Sequence, residues 1–135
     1  KKGEVRVTPI SDGDPFSFLV DTLDHSIIAD EPTNLGGSNR GMGPFDLLAA
    51  SLATCTAMTL RFYARRKNLE LGLFQVKVSM QKNDDETHTF TRDIAFEANK
   101  NPEIIDKLKN IAEKCPVHKA LMGQVSILTH INRGS

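Results

Sequence analysis

The sequence predicts an α+β fold: antiparallel β-sheets packed on two helices, one of them long and central. Three observations carry that prediction. Short runs of alternating apolar and polar residues open the chain, and a long Ala- and Leu-rich stretch follows Pro44. A second pair of alternating runs, joined by an acidic turn, then leads into a shorter amphipathic stretch. Alternation with a period of two marks strands with one buried face, and recurrence near 3.6 marks helices, so the order reads βββ-α-ββ-α-β.

The first strand is set by Val5 and Val7 alternating with Arg6 and Thr8, and Ser11-Asp12-Gly13-Asp14-Pro15 supplies the turn after it. Phe16, Phe18 and Val20 alternate again, and Ile27-Ile28 gives a third short piece that stops at Asp30-Glu31-Pro32. Residues 33–43, TNLGGSNRGMG, carry four glycines and read as a mobile connector. No Gly-Lys-Ser/Thr follows them, so they are not a phosphate-cradling loop.

The long helix is predicted to start at Pro44. Proline is preorganised for the first helical position, and Asp46 lies in the first turn, where the helix dipole favours an anion. Arg65-Arg66-Lys67-Asn68 gives it a cationic finish, which accounts for that basic cluster without a ligand. Phe74, Val76, Val78 and Met80 then form one face of a strand, with Asn83-Asp84-Asp85-Glu86 as turn. The partner strand puts His88, Phe90, Arg92, Ile94 and Phe96 on one face, and Arg92 interrupts that apolar row. Asn101 caps a second helix that opens on Pro102 and presents Ile104, Leu108, Ile111 and Cys115 as a core-facing stripe. Pro116 interrupts it, Val117–Met122 form a short further turn, and Val125, Ile127 and Ile131 are expected to close the chain as a strand.

At 135 residues the chain is expected to be a single domain, residues 1–135, able to bury a core without metal or disulfide staples. Seventeen basic residues balance seventeen acidic ones, which removes the usual electrostatic argument for nucleic acid or anionic membrane. No apolar run reads as a transmembrane helix and no secretory leader is visible, so a cytoplasmic location is the expectation. In that reducing compartment a standing disulfide between the two cysteines is not expected.

Those cysteines are the chemistry-bearing residues. Cys55 is deep in the long helix, on a predicted stripe with Leu48, Ser51, Leu52, Met58, Thr59 and Phe62. It lies beyond reach of the helix N-terminus, and apolar burial would raise its pKa, so reactivity needs a cation from elsewhere. Cys115 directly precedes Pro116, where unpaired backbone N–H groups favour a thiolate, and His118 follows three residues on. Four readings compete. The thiols are inert and buried; or Cys115, His118 and Cys55 ligate zinc; or Cys115 and His118 form a nucleophilic dyad; or the cysteines are a peroxidatic and resolving pair.

The stretches GPFDLLAASLATCTAMTLRFYARRK and, sixty residues on, IAEKCPVHKAL together resemble the osmotically inducible protein C and organic hydroperoxide resistance (OsmC/Ohr) family. The upstream IIADEP and the Gly-rich loop resemble its OsmC-like branch. The resemblance implies an intertwined homodimer with the site at the subunit interface, and thiol-dependent reduction of organic hydroperoxides. Cys55 matches the peroxidatic cysteine and Cys115 the resolving one, with an external dithiol as electron donor and neither cofactor nor metal. Neither nucleic acid nor membrane is an expected partner.

The sequence departs from the family pattern where a Glu ten residues before the reactive cysteine would hold an activating Arg. Phe45 stands there, and the acid is Asp46. On a regular helix Asp46 lies about 180° around from Cys55 and about 13 Å along the axis, so it is read as a helix-start acid. Arg40, Arg92, Asp46 and His118 are candidate supporting residues. Arg92 is expected to need an acidic partner or a thiolate nearby, with an ion pair to Asp46, Asp30 or Glu31 preferred over a catalytic role. The altered acid keeps an alternative open: a non-peroxidase relative that binds a hydrophobic small molecule in the dimer pocket.

Overall fold

The computed structural model describes residues 3–134. It contains five strands and three α-helices, in the order β1 (Arg6–Pro9), β2 (Phe18–Asp21), β3 (Ser26–Ala29), α1 (Pro44–Arg66), β4 (Phe74–Lys82), β5 (His88–Phe96), α2 (Pro102–Ala112) and α3 (Pro116–Met122). The fold class is the predicted one, with the short turn after Pro116 formed as a third α-helix. The chain divides at Ala50/Ser51, within α1, into two compact units.

In the N-terminal unit β1, β2 and β3 form an antiparallel sheet in that order, with Val7 opposite Val20 and Phe18 opposite Ala29. One face gathers Val5, Val7, Phe18 and Val20 beside Pro44 and Leu47 around an apolar cleft of about 570 Å³. The glycine-bearing segment after β3 is not a loose connector. Asp30 is buried, and its carboxylate accepts from Ser17 Oγ at 2.6 Å and from the N–H groups of Glu31, Arg40 and Ser38 at 2.8, 3.1 and 3.4 Å. A buried carboxylate requires such donors, and the loop supplies three of them from its backbone. Two glycines permit the close approach: a Cβ on Gly37 would strike the Glu31 carbonyl, and one on Gly41 the Ile28 carbonyl.

Helix α1 begins as expected. The Gly43 N–H donates to Asp46 Oδ2 at 3.1 Å, so Asp46 serves its own helix start. Its buried stripe is Leu52, Thr56, Leu60, Tyr63 and Ala64. This corrects the predicted phase: Met58 and Phe62, expected on the core face with Cys55, are each 60% exposed. Helix α1 is long and apolar enough, by length and composition, to cross a membrane, contrary to the reading of its sequence. Its Leu60–Ala64 face is nonetheless built into a protein core, which lets a core helix pass the same test.

That core belongs to the C-terminal unit. Leu60, Tyr63, Ala64, Leu71, Leu108 and Ala112 pack together, flanked by Phe74, Ile94, Phe96, Ile104 and Ile111. Strands β4 and β5 pair from Phe74↔Phe96 to Lys82↔His88, with the apolar residues on the less exposed face. Burying Leu108, 2% exposed, contributes about 1.5–3 kcal/mol. Asn101 Oδ1 accepts from the Ile104 N–H at 3.0 Å, a cap worth about 1 kcal/mol. The predicted closing strand does not form: residues 124–134 carry no regular structure, and Val125, Ile127 and Ile131 are 69%, 84% and 83% exposed. A strand is stabilised by pairing, and among the described residues none pairs with this segment.

Candidate thiol site

Four elements meet at the two cysteines in the C-terminal unit. Helix α1 brings Cys55 and Thr56, β5 brings Arg92, and α2 hands over to α3 at Cys115. Both thiols are free; Cys55 is half-buried and Cys115 fully buried.

Cys115 is the N-cap of α3. Its Sγ accepts the His118 N–H at 3.3 Å, as Pro116 at the first helical position leaves the next amides to find an acceptor. A side-chain hydrogen bond joins it to Cys55, and the Val117 N–H serves both sulfurs. Thr56 Oγ lies 3.9 Å from Cys115 Sγ and donates at 2.7 Å to the Leu52 carbonyl one turn back. Thr56 is wholly buried, and its hydroxyl also accepts from Arg92 Nη1 at 3.0 Å. Arg92 Nη2 donates at 3.0 Å to His118 Nδ1. Arginine cannot accept, so His118 Nδ1 bears the lone pair and the neutral ring carries its proton on Nε2.

The two sulfurs are pushed in opposite directions. Burial raises the Cys55 thiol, and the neighbouring Cys115 sulfur raises it further, against the Val117 N–H and the Thr59 hydroxyl. Burial acts on Cys115 in the same sense, but there it is outweighed by donors: the His118 N–H, the Cys55 thiol, the Thr56 hydroxyl and the Val117 N–H hold Cys115 below the ordinary cysteine value. Cys115 is therefore the more acidic of the two thiols and Cys55 the less.

The candidate residues from the sequence divide accordingly. Cys55, Cys115, His118 and Arg92 come together. The carboxylate expected for Arg92 is replaced: its recorded partners, Thr56 and His118, are both neutral, and the ion pairs among the described residues are Arg40–Asp14 and Lys82–Glu86. Asp30 is committed to its loop and Asp46 to its helix start. Arg40 belongs to the N-terminal unit, where Nη2 meets Asp14 at 3.2 Å. No guanidinium is among the groups that shift Cys55. Thr56 went unread in the sequence, although a hydroxyl between Leu52 and Leu60 at helical spacing is a signal for a buried polar contact. Beside the network lies a cleft of about 420 Å³ walled by Leu52, Phe90, Leu121 and Met122, with Arg92 and His118 at its lining.

The sequence profile described as OsmC-like protein matches residues 36–130, more than two-thirds of the chain. Among curated proteins no match was found. Solved structures share the fold. A Psychrobacter arcticus protein assigned provisionally to osmotic stress induction and detoxification response is 25% identical, with 89% of this chain and 88% of that one covered and a TM-score of 0.75. An OsmC-like protein from Mycoplasma pneumoniae is 21% identical, covering 91% and 89%, with a TM-score of 0.69. The organic hydroperoxide resistance protein OhrB of Bacillus subtilis is 22% identical, covering 91% and 92%, with a TM-score of 0.61.

Proposed function

Because the chain belongs to the OsmC-like family, we propose that it is a cysteine-based hydroperoxide reductase that works with Cys55 and Cys115. The observation that carries this reading is the pair itself: a half-buried thiol hydrogen-bonded to a fully buried one that sits at a helix start. In the first step Cys55 yields its proton, and its sulfur attacks the distal oxygen of an organic hydroperoxide. The O–O bond breaks, the S–O bond forms, and the alkoxide leaves as alcohol with a proton. In the second step Cys115 attacks the sulfenic sulfur. The S–S bond forms and the oxygen departs as water. An external dithiol then reduces the disulfide, and neither metal nor cofactor takes part. The walls of Leu52, Phe90, Leu121 and Met122 suit an apolar organic group better than hydrogen peroxide.

The same reading takes the working form to be a homodimer in the cytoplasm, with the two protomers intertwined. Its support is the apolar surface this chain leaves uncovered, Met58 and Phe62 on α1 and the Val125–Ile131 segment. The raised Cys55 thiol, with no guanidinium among its partners, favours the second reading, a pocket for a hydrophobic small molecule without peroxidase chemistry.

Consumption of cumene hydroperoxide with dithiothreitol, against hydrogen peroxide, separates the two. The proposal predicts turnover that prefers the organic substrate, vanishes in Cys55→Ser, and in Cys115→Ser proceeds without any Cys55–Cys115 disulfide being formed. Wild-type consumption no faster than free dithiothreitol would rule out the peroxidase reading.

A further inference from the structure

Arg92 carries a charge that no carboxylate meets among the described residues, on the apolar face of β5 between Phe90 and Ile94. A half-buried guanidinium without a counter-charge is costly, and only its hydrogen bonds offset that cost. Its two hydrogen bonds leave β5 in different directions. One reaches α1 at Thr56, the residue after Cys55, and the other reaches α3 at His118, whose own N–H holds Cys115. Helix α3 is seven residues long, too short to be stable unaided, and the segment beyond it has no regular structure. The ring of His118 is therefore one of the polar ties by which α3 is fastened to the rest of the unit, and it is the one that reaches β5.

We propose that Arg92 is a positioning residue for Cys115: by holding Thr56 and His118 together it fixes the α3 start so that the Cys115 sulfur meets the Cys55 sulfur. A disulfide demands a particular S–S separation and dihedral, so small displacements of a helix start slow its closure severely. This role differs from activation of the first thiol. The groups acting on Cys55 are Cys115, the Val117 N–H and the Thr59 hydroxyl, and Arg92 is not one of them. The inference rests on Cys55 and Cys115 being a redox pair, and its test avoids peroxide so that the two can fail separately.

The probe is dithiobis-nitrobenzoate, an aromatic disulfide. Cys55 thiolate attacks it, releasing one coloured thiolate and leaving a mixed disulfide. Cys115 thiolate then displaces the second coloured thiolate and closes Cys55–Cys115. The two releases are read as two phases on the full chain. In the wild type both are expected. In Arg92→Ala the ratio of the second rate to the first should fall at least about tenfold, and Arg92→Lys, whose compact ammonium lacks the spread planar fork that reaches both acceptors, should also fall. His118→Asn keeps an acceptor near the Nδ1 position and should stay within about threefold of wild type, whereas His118→Ala should follow Arg92→Ala. Far-ultraviolet circular dichroism and the melting curve establish that each variant is folded. If an Arg92 variant is unfolded, the comparison of His118→Asn with His118→Ala decides, and if a His118 variant is unfolded, the comparison of Arg92→Ala with wild type decides. Equal slowing of both phases, an unchanged ratio in Arg92→Ala, no rescue by His118→Asn, or a wild type that releases fewer than two equivalents would each overturn the proposal. Two-phase closure in a wild type that consumes no hydroperoxide would leave this inference standing and remove the proposed function.

Discussion

Asp30 and Cys115 are the same device used twice. Each is a buried acid that receives backbone N–H groups from a loop or helix start and approaches a Ser or Thr hydroxyl, Ser17 in one case and Thr56 in the other. In each the donors outweigh burial and favour the anion. The difference is what stands beside the acid. Around Asp30 every recorded partner is a fixed donor, so the group only anchors a loop. Beside Cys115 stands a second thiol. In the proposed function the same hydrogen-bonding logic thus gives an anchor in one unit and a reactive pair in the other.

Removing the hydroxyl on the reactive side gives the larger expected effect. Thr56→Val keeps the shape of the buried side chain but strands a half-buried Arg92 donor, at a cost of about 1–3 kcal/mol read by urea unfolding. Closure of the Cys55–Cys115 disulfide should slow at the same time, by less than in Arg92→Ala because the His118 tie remains. A Thr56→Val chain as stable and as quick to close as wild type would show that the two acids are not held alike.

The smaller effect belongs to the anchor. The Asp30 carboxyl sits below the ordinary aspartate range, chiefly through Ser17 Oγ, so its contribution is fully present above that range and fades as pH falls through the depressed value. Proteolytic protection of residues 33–43 should accordingly persist from neutral pH down through mild acid and be lost only below the ordinary aspartate range. In Asp30→Asn, which retains an acceptor but no charge, that protection should be weaker at neutral pH and nearly independent of pH. Protection that falls between pH 5 and 7 in the wild type would assign the anchor to another group.

Much of this arrangement was legible in the residues, and the failures share a cause. Asn101-Pro102, Pro44 with Asp46, and Cys115-Pro116 announce helix starts through local chemistry, and each stands where that chemistry puts it. The β4–β5 hairpin was equally plain, because alternation and an acidic turn depend on neighbours in sequence. The phase of α1 was not, since Ala49, Ala50, Ala53 and Ala57 fit a buried or an open face alike, and Cys55 was assigned a stripe that is partly exposed. The contacts of Thr56 with Arg92 and Cys115, and of Arg92 with His118, cross long separations that no local pattern encodes. Val125–Ile131 has the pattern of a strand but lacks a partner among the described residues, and pattern alone does not supply one.

The central claim is that Cys55 and Cys115 work as one redox unit. The most direct measurement is the intact mass and peptide map of reduced wild type after one equivalent of cumene hydroperoxide, with the dithiol removed. The account predicts a chain lighter by two hydrogens, carrying a Cys55–Cys115 cross-link within the chain. A chain of unchanged mass, or one that gains oxygen on a single cysteine without a cross-link, would contradict it.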